Sequence, residues 1–410
     1  MAKPKLALIP ATQGSKLYSV LPADGVGDFT FSRVSSATRI NKDGLIETVT
    51  QQNSRLNYPL IDGVVNGCPS HLLEPSRLQL IPYSEAFSNA VWEKNQSSIV
   101  ANAIISPNGT LNASKLVEDS SNNFHRIIEN VNTTIGTFSH SVFAKAGERK
   151  YFVLRNNISG SNLNACFDLE NGVVVYNGFD EAKIENYGNG WYRCSIVEID
   201  TSGGSTSFSL MTSNNKVTSN SIPSYQGDGT SGVYIWGAQV EQGSFPTSYI
   251  PNYGTSAGIT RVAETANGAG DASTFNDSEG VLMVEMSALA DDLTNRIISL
   301  SDGTNSNIIS VQFSNAQSND IIAYYNATGQ TGRVISTTSY NIKSFNKIAL
   351  VWNNSSFKFY VNGYLIGSAT IETPLVNNTL NQLKFQYGNG TLPFYGNTKQ
   401  IQYFDSALND

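Results

Sequence analysis

Apolar residues recur at every second position in short runs along most of this chain, and clusters of Gly, Asn, Ser and Asp separate the runs. A period of two places alternate side chains on one face of an extended backbone, so each run predicts a strand with a buried face and a wet one. A first set comprises FSHSVFAKA (138–146), YFVLRNN (151–157), GVVVYNG (172–178), GWYRCSIVEI (190–199), TSFSLMTS (206–213) and GVYIWGAQVEQ (232–242). A second comprises VLMVEMSAL (281–289), RIISLSD (296–302), NIISVQFS (307–314), DIIAYYN (320–326), NKIALVWNN (346–354), SFKFYVNGYLIGSA (356–369), LNQLKFQYG (380–388) and NTKQIQYF (397–404). Strands this short, bounded by turn residues, predict antiparallel sandwiches. Asn362-Gly363 supplies the two positive φ angles of a type I′ turn, which predicts a hairpin. The last run is expected to pair centrally, so its deletion should unfold its domain.

Between the sets the pattern stops. Pro251 lacks an amide proton and Gly254 and Gly258 permit sharp bends, so sheet pairing is expected to end there. Residues 1–92 show neither period for long. They hold the extended pieces FTFSRV (29–34) and GLIETVTQ (44–51), and SEAFSNAVWEK (84–94) predicts a short helix capped by Ser84 with Phe87, Val91 and Trp92 on one face. A segment with so little core of its own is expected to lie on something else, as an arm against a neighbouring protein or a sister chain. The expected fold is therefore all-β: an extended N-terminal arm followed by two antiparallel β-sandwich (jelly-roll) domains. The boundaries are 1–92 for the arm, 93–254 for the first sandwich, 255–272 for a linker and 273–410 for the second sandwich.

Composition sharpens this only at the edges. The net charge of −7 and the absence of a Lys/Arg stripe argue against nucleic acid as a partner. No apolar run is long enough for a membrane span or a secretory signal, so a soluble protein assembled in a cytoplasm is expected. Cys68, Cys166 and Cys194 are odd in number and widely spaced, which points to free thiols, with Cys166 and Cys194 as small core residues. The Asn-x-Ser/Thr triplets, such as 108–110 and 389–391, are what an Asn/Ser/Thr-rich chain produces by chance.

RVSSATRINKDGLIE (33–47) followed by CPSHLLEPSRLQLIPYSEAFSNAVW (68–92) resembles the opening of many tailed-bacteriophage structural proteins, where a similar pair precedes a jelly roll. SPNGTLNASKLVE (106–118), YGNGWYRCS (187–195) and YIWGAQVEQGSFPTSYIP (234–251) resemble the carbohydrate-binding-module-like sandwich of phage fibre proteins. NKIALVWNNSSFKFYVNGYLIGS (346–368) and KQIQYFDSALND (399–410) resemble the laminin-G/concanavalin A-like lectin fold. The resemblance implies a virion protein assembled in the host cytoplasm, a homotrimeric tail fibre or receptor-binding component that contacts host surface glycans. Its arm would dock on other virion proteins. The alternative within the same resemblance is a head-fibre, collar or capsid decoration protein with a purely structural role.

Candidate chemistry favours binding over catalysis. A glycoside hydrolase needs two opposed carboxylates. Glu198-Ile199-Asp200 lacks the third acid of the Glu-x-Asp-x-x-Glu pattern of concanavalin A-like glucanases, and Glu285 stands alone between apolar residues, as an outward strand position. His71, His125 and His140 show no metal-ligand spacing. The expectation is a protein without catalytic residues. Trp191, Trp236 and Trp352 lie inside strands and read as core anchors, whereas the loop aromatics Tyr225, Tyr340 and Tyr387 are the candidate sugar-stacking residues. No cofactor is expected beyond a weak case for structural calcium, with Asp302 and Asn305 of SDGTNSN (301–307) as candidate oxygen ligands.

Overall fold

The computed structural model describes residues 3–158 and 160–407, and every regular element among them is a strand. Two six-stranded antiparallel sheets form the middle sandwich. One, the His125 sheet, runs in the order Glu93–Asn95, His125–Thr133, Gly204–Ser213, Tyr151–Ile158, Ser161–Asp168, Val173–Asn177. The other, the His140 sheet, runs Ser97–Ile105, Leu111–Glu118, Gly232–Gln242, Gly136–Ala146, Trp191–Asp200, Glu181–Gly188. Their facing sides carry the alternate apolar residues that the period of two assigns inward, among them Ile127, Phe152, Phe208, Phe138, Val142 and Ile196. Cys166 and Cys194 are buried free thiols and Cys68 is exposed.

The second sandwich is built from an eight-stranded and a nine-stranded sheet. Here the expected arm needs correction. Residues 3–80 pack within the chain, and six of their short strands are members of these sheets. Leu6–Leu8 and Ser70–Leu73 both pair with the last strand, Gly396–Phe404, and Arg55–Asn57 extends the sheet beyond Ser70–Leu73. Phe29–Ser32 pairs with Thr265–Ala269, and Lys16–Leu17 and Thr12–Gln13 follow outward. The physical reason is that strands of two to four residues are too short to display a period, yet several of them donate one or two core residues. Leu6, Leu8, Leu17, Phe29, Phe31 and Leu73 all enter the C-terminal core, each side chain contributing roughly 1.5–3 kcal/mol of burial. The last strand is central, flanked by Gly280–Ala288 and by the N-terminal strands.

The expected helix at 84–94 is also absent. The chain turns twice, with the amide of Asn89 donating to Ala86 O (3.0 Å) and that of Trp92 to Asn89 O (3.2 Å), before Glu93–Asn95 joins the His125 sheet. Phe87 and Trp92 are nevertheless both buried with ring centroids 5.1 Å apart. Stacked turns produced the apolar spacing that suggested a helix face. The hairpin prediction holds: Asn362 and Gly363 have φ of 52° and 88°, between the paired residues Val361 and Tyr364.

A third apolar layer lies on the outer face of the His140 sheet. Phe143, Trp191, Trp236 and Tyr249 cluster there under Ile46, from the hairpin Ala37–Ile40/Ile46–Val49. Trp191 and Trp236 are thus buried as expected, but beneath the N-terminal segment and not between the sheets, whereas Trp352 sits in the C-terminal core stacked on Tyr403.

The same segment straps the interdomain joint. Arg77–Gln79 pairs with Ile259–Arg261, and Tyr83 bridges to Tyr253. Beside them Arg33, Arg55 and Arg261 surround Glu74 and Glu264, all five almost wholly buried. Arg33 Nη1 donates to Glu264 Oε1 (2.5 Å), Arg55 donates through two nitrogens to both Glu264 oxygens, and Arg261 Nη1 donates to Glu74 Oε2 (2.5 Å). Parts of both 33–47 and 68–92 therefore serve this joint.

Candidate functional site

The residues singled out in the sequence do not converge. Tyr225 is no loop platform: its ring is buried between His125 and the Arg149 guanidinium, and its hydroxyl donates to Glu118 Oε2 (2.7 Å). Burial, reinforced by the Glu118 carboxylate, raises this phenol far above its ordinary range. Tyr340 is half-buried against the C-terminal core. Tyr387 is half-buried in a turn closed by Gly390 N donating to its carbonyl (2.8 Å), and burial followed by the proximity of Tyr324 pushes it up to about 12. Asp302 is consumed by its own turn, accepting from Thr304 N (2.8 Å), Thr304 Oγ1 (2.6 Å) and Asn307 Nδ2 (2.8 Å). Asn305 Oδ1 accepts from Asn389 N (3.0 Å). Among the described residues no group of three or more His, Cys, Asp or Glu side chains is placed to hold a metal ion.

The structure instead brings together a shallow pocket of about 320 Å³ at the joint, lined by residues of the N-terminal hairpin, the 108–110 turn and the 249–253 exit. Tyr253 is 74% exposed at its rim, and Trp236 and Tyr249 form the floor with ring centroids 4.7 Å apart. Position is fixed from below. Glu85 accepts from Tyr249 OH (2.9 Å), Tyr253 OH (3.3 Å) and Asn112 Nδ2 (3.0 Å), and Ser84 Oγ lies 2.7 Å from Tyr249 OH. Burial raises the Glu85 carboxyl above its ordinary value, and burial together with Glu85 pushes Tyr253 up to about 12. Gly254 has φ of +128°, and a Cβ there would meet the Tyr83 ring at 3.1 Å, so the turn that presents Tyr253 depends on glycine.

The walls are polar. Asn41 and Asn108 each use the side-chain oxygen to cap their own turn, accepting from Asp43 N (2.9 Å) and Thr110 N (2.9 Å), which leaves each amide NH₂ available toward the pocket. Thr48 and Glu47 complete the wall. One exposed ring beside amide, hydroxyl and carboxylate groups is what an amphipathic ligand with hydroxyls requires. Tyr253 was missed in the sequence although its context, NYG, matches the QYG setting that singled out Tyr387.

A larger cleft of about 480 Å³ lies between the sandwiches, lined in part by Glu74, Glu181, Glu185, Asp291, Asp292 and Lys183. Most of its carboxylates already have partners. Asp292 is held by Arg296 (2.7 Å) and Ser244 (2.7 Å), Asp291 accepts from Asn319 N (3.0 Å) and Ser318 Oγ, and Glu185 meets Lys183 Nζ (2.6 Å). Burial pushes Glu74 up, but Arg261 and Arg55 outweigh it and hold the carboxyl at about 2. Glu181 is exposed. A glycosidase needs one desolvated acid facing a second, free carboxylate, and this wall offers no such pair. Glu198 and Asp200 lie inside the middle sandwich, bound to His140 (2.7 Å) and Thr133 (2.6 Å), and Glu285 is an outward strand residue bonded to Gln400 (2.8 Å).

No curated relative matches the chain. Among solved structures, the Ruminococcus gnavus IT-sialidase CBM40 bound to α2,3-sialyllactose is 18% identical, covering 33% of this chain and 80% of its own, with a TM-score of 0.29. A Bacillus licheniformis β-glucanase is 18% identical over 37% of this chain and 80% of its own, with a TM-score of 0.26. Mouse laminin α1 domains LG4–5 are 9% identical over 87% of this chain and 96% of their own, with a TM-score of 0.25. Nothing about function follows from scores this low. One family model does match: residues 284–410 fit that of the concanavalin A-like lectin/glucanases superfamily.

Proposed function

We propose that this chain is a non-enzymatic, glycan-binding structural protein of a tailed-bacteriophage particle, of the tail-fibre or receptor-binding kind, acting as a homotrimer. The observation that carries the glycan reading is Tyr253, an aromatic ring held exposed by a half-buried carboxylate over a pocket walled by amides and hydroxyls. A pyranose would lay its apolar face on the ring and its hydroxyls against Asn41, Asn108 and Glu47. The partnered state of the cleft carboxylates supports binding without cleavage. The match of residues 284–410 to a lectin and glucanase superfamily supports the same class of ligand. The virion role rests on the sequence resemblance. Because the N-terminal strands are used within the chain, attachment to other virion proteins falls to another surface.

A glycan array probed with the full chain tests this, since the C-terminal sandwich lacks its N-terminal strands when cut at 270. The expected result is a saccharide signal that Tyr253→Ala weakens by roughly tenfold, about the 1.4 kcal/mol that one aromatic contact supplies. Three copies would restore useful strength through avidity. An array with no signal rejects glycan binding. Gold-labelled antibody on the particle places the protein: tail-tip labelling supports receptor binding, and capsid or collar labelling favours a decoration role.

A further inference from the structure

Most arginines of this chain have an obvious electrostatic partner. Arg33, Arg39, Arg55, Arg149, Arg261, Arg296 and Arg333 each meet a carboxylate, and Arg77 and Arg193 lie over the rings of Phe245 and Phe143. Arg126 and Arg155 do neither. Among the described residues the two form no ion pair, the Nε of Arg126 is buried without a hydrogen-bond partner, and Arg155 makes only a long 3.4 Å bond to Asn164 Oδ1.

Register puts the two on one surface. On the outer face of the His125 sheet one cross-strand row reads Arg126, Met211, Val153, Cys166, and the next reads Ile128, Ser209, Arg155, Asn164. The two arginines therefore stand on the strands either side of Gly204–Ser213, one row apart. Strands are spaced about 4.8 Å, so the Cα atoms lie roughly 10 Å apart across the sheet, within reach of two long side chains converging over Ser209. Met211, Val153 and Cys166 of the first row are covered by Val217 and Ile222, which walls the face on one side. The third row, Asn130, Ser207, Asn157 and Asn162, carries only small polar groups and is open or half-open to solvent. Glu93, exposed on the edge strand opposite Ile128, is the acid nearest in register and makes no ion pair with Arg126.

Two half-buried cations facing each other, with only the exposed Glu93 acting on Arg126 and no ion pair to either, cost stability in the free protein. Burial, and then the charge of Arg126, pulls the Arg155 guanidinium below its ordinary value. A bound anion removes that cost. Guanidinium forks match the planar geometry of a carboxylate, and the amide and hydroxyl row beside them matches sugar hydroxyls.

We propose that the outer face of the His125 sheet binds a carboxylate-bearing glycan, with Arg126 and Arg155 clamping the carboxylate and Asn130, Ser207 and Asn157 contacting adjacent hydroxyls. This deepens the reading of the chain as a glycan binder and rests on it. The site is separate from the Tyr253 pocket and assigns a ligand class, acidic sugars of the uronate or sialate type.

Affinity electrophoresis of the full chain through polygalacturonate and polysialic acid tests the proposal, with methyl-esterified polygalacturonate, dextran sulfate and neutral dextran as comparison polymers. Retardation by at least one carboxylated polymer is expected, together with its loss on methyl esterification. Arg126→Gln and Arg155→Gln should each weaken retention by roughly tenfold, and the double variant should abolish it. Cooperative melting at or above the wild-type temperature establishes that the variants fold, and Arg155→Lys, which keeps the charge but not the fork, should fall between in retention. No retention by either carboxylated polymer, retention unchanged in the double variant, or stronger retention by dextran sulfate overturns the proposal. If the array then still shows neutral saccharides bound through Tyr253, the general glycan reading stands and only this site fails. If no saccharide of any kind is bound, both fail.

Discussion

Two buried polar clusters in this molecule follow opposite rules. At the joint, Arg33, Arg55 and Arg261 enclose Glu74 and Glu264, every charge meets an opposite one, and most of the spare guanidinium donors go to backbone carbonyls, the Nε of Arg261 being the exception. Arg33 reaches Ser35 O (2.7 Å) and Thr50 O (2.8 Å), Arg55 reaches Thr38 O (2.7 Å), and Arg261 reaches Pro75 O (2.7 Å). Even the Glu74 amide is used, donating to Glu264 Oε2 (2.8 Å). Between the sheets of the middle sandwich, Glu129, His140, Asn156 and Glu198 are as deeply buried but incompletely partnered. Glu198 takes His140 and Asn156 on one oxygen, while its other oxygen, His140 Nδ1, Asn156 Oδ1 and Glu129 Oε2 have no hydrogen-bond partner among the described residues. The lesson is that burial alone does not define the energetics of a charge. A network whose charges are paired holds distant segments together, whereas one that leaves a carboxylate without a cation holds a group that prefers to be neutral.

The largest effect is expected at the joint. Glu264→Gln leaves Arg33 and Arg55 buried with less than their compensating charge, and breaking a buried pair on one side costs about 3–5 kcal/mol. Denaturant unfolding should show that loss. Limited proteolysis should show cutting between residues 253 and 275 that is expected to be slower in the wild type. A loss below about 1 kcal/mol would mean that sheet pairing alone holds the joint and that the cluster is incidental.

Why the buried ion cluster of the joint escaped the sequence is a matter of distance along the chain. Arg33 and Glu264 are 231 positions apart, and nothing local marks either as a partner of the other. The strands of the middle sandwich were legible because eight to eleven residues suffice to display a period of two, as in Tyr151–Ile158 and Gly136–Ala146. Phe29–Ser32 and Leu6–Leu8 were not, since three or four residues carry no period and their core roles depend on Thr265–Ala269 and Gly396–Phe404. The hairpin at Asn362-Gly363 was legible because its signal is entirely local. The candidate site falls between these cases. Tyr253 has a local turn signature, but only the fold shows that Glu85 holds it up and that the Tyr225 ring is covered.

The middle cluster should reveal itself through pH. Burial raises the Glu129 carboxyl to about 7 in the folded state, against roughly 4.3 for an unfolded glutamate. A raised carboxyl binds its proton more tightly when folded, so its stabilising effect is complete below the unfolded value and disappears as pH rises through 7. Each tenfold gain in proton affinity is worth about 1.4 kcal/mol, which puts the amplitude at about 4 kcal/mol. Glu129→Gln carries no such titration. It should match wild type near pH 4 and exceed it near pH 8 in calorimetric melts of the middle sandwich. His71 runs the other way in the C-terminal sandwich. Burial lowers it to about 4, so the stability it allows is present above its unfolded value near 6.5 and is lost as pH falls toward 4. Acidification from pH 7 to 5 should therefore favour the middle sandwich and weaken the C-terminal one. A Glu129→Gln variant that is destabilised equally at every pH would show that the carboxyl is solvated after all.

The smallest effect is expected where the same ion-pair chemistry meets water. Arg39 pairs with Glu47 at 3.1 Å on the hairpin beside the joint, but the two side chains are 26% and 43% exposed. Solvent screening and the entropy of fixing two long side chains leave such a pair worth at most about 1 kcal/mol. Arg39→Ala should therefore shift the denaturant midpoint by a fraction of what Glu264→Gln does. It should leave the 253–275 segment resistant to protease, and about 0.5 M salt should erase the remaining difference. Because Glu47 also lines the Tyr253 pocket, saccharide binding is the finer readout. A variant with unchanged stability but altered binding would show that Arg39 orients Glu47 for a ligand, and a stability loss as large as that of Glu264→Gln would remove the distinction between saturated interior and exposed pairs.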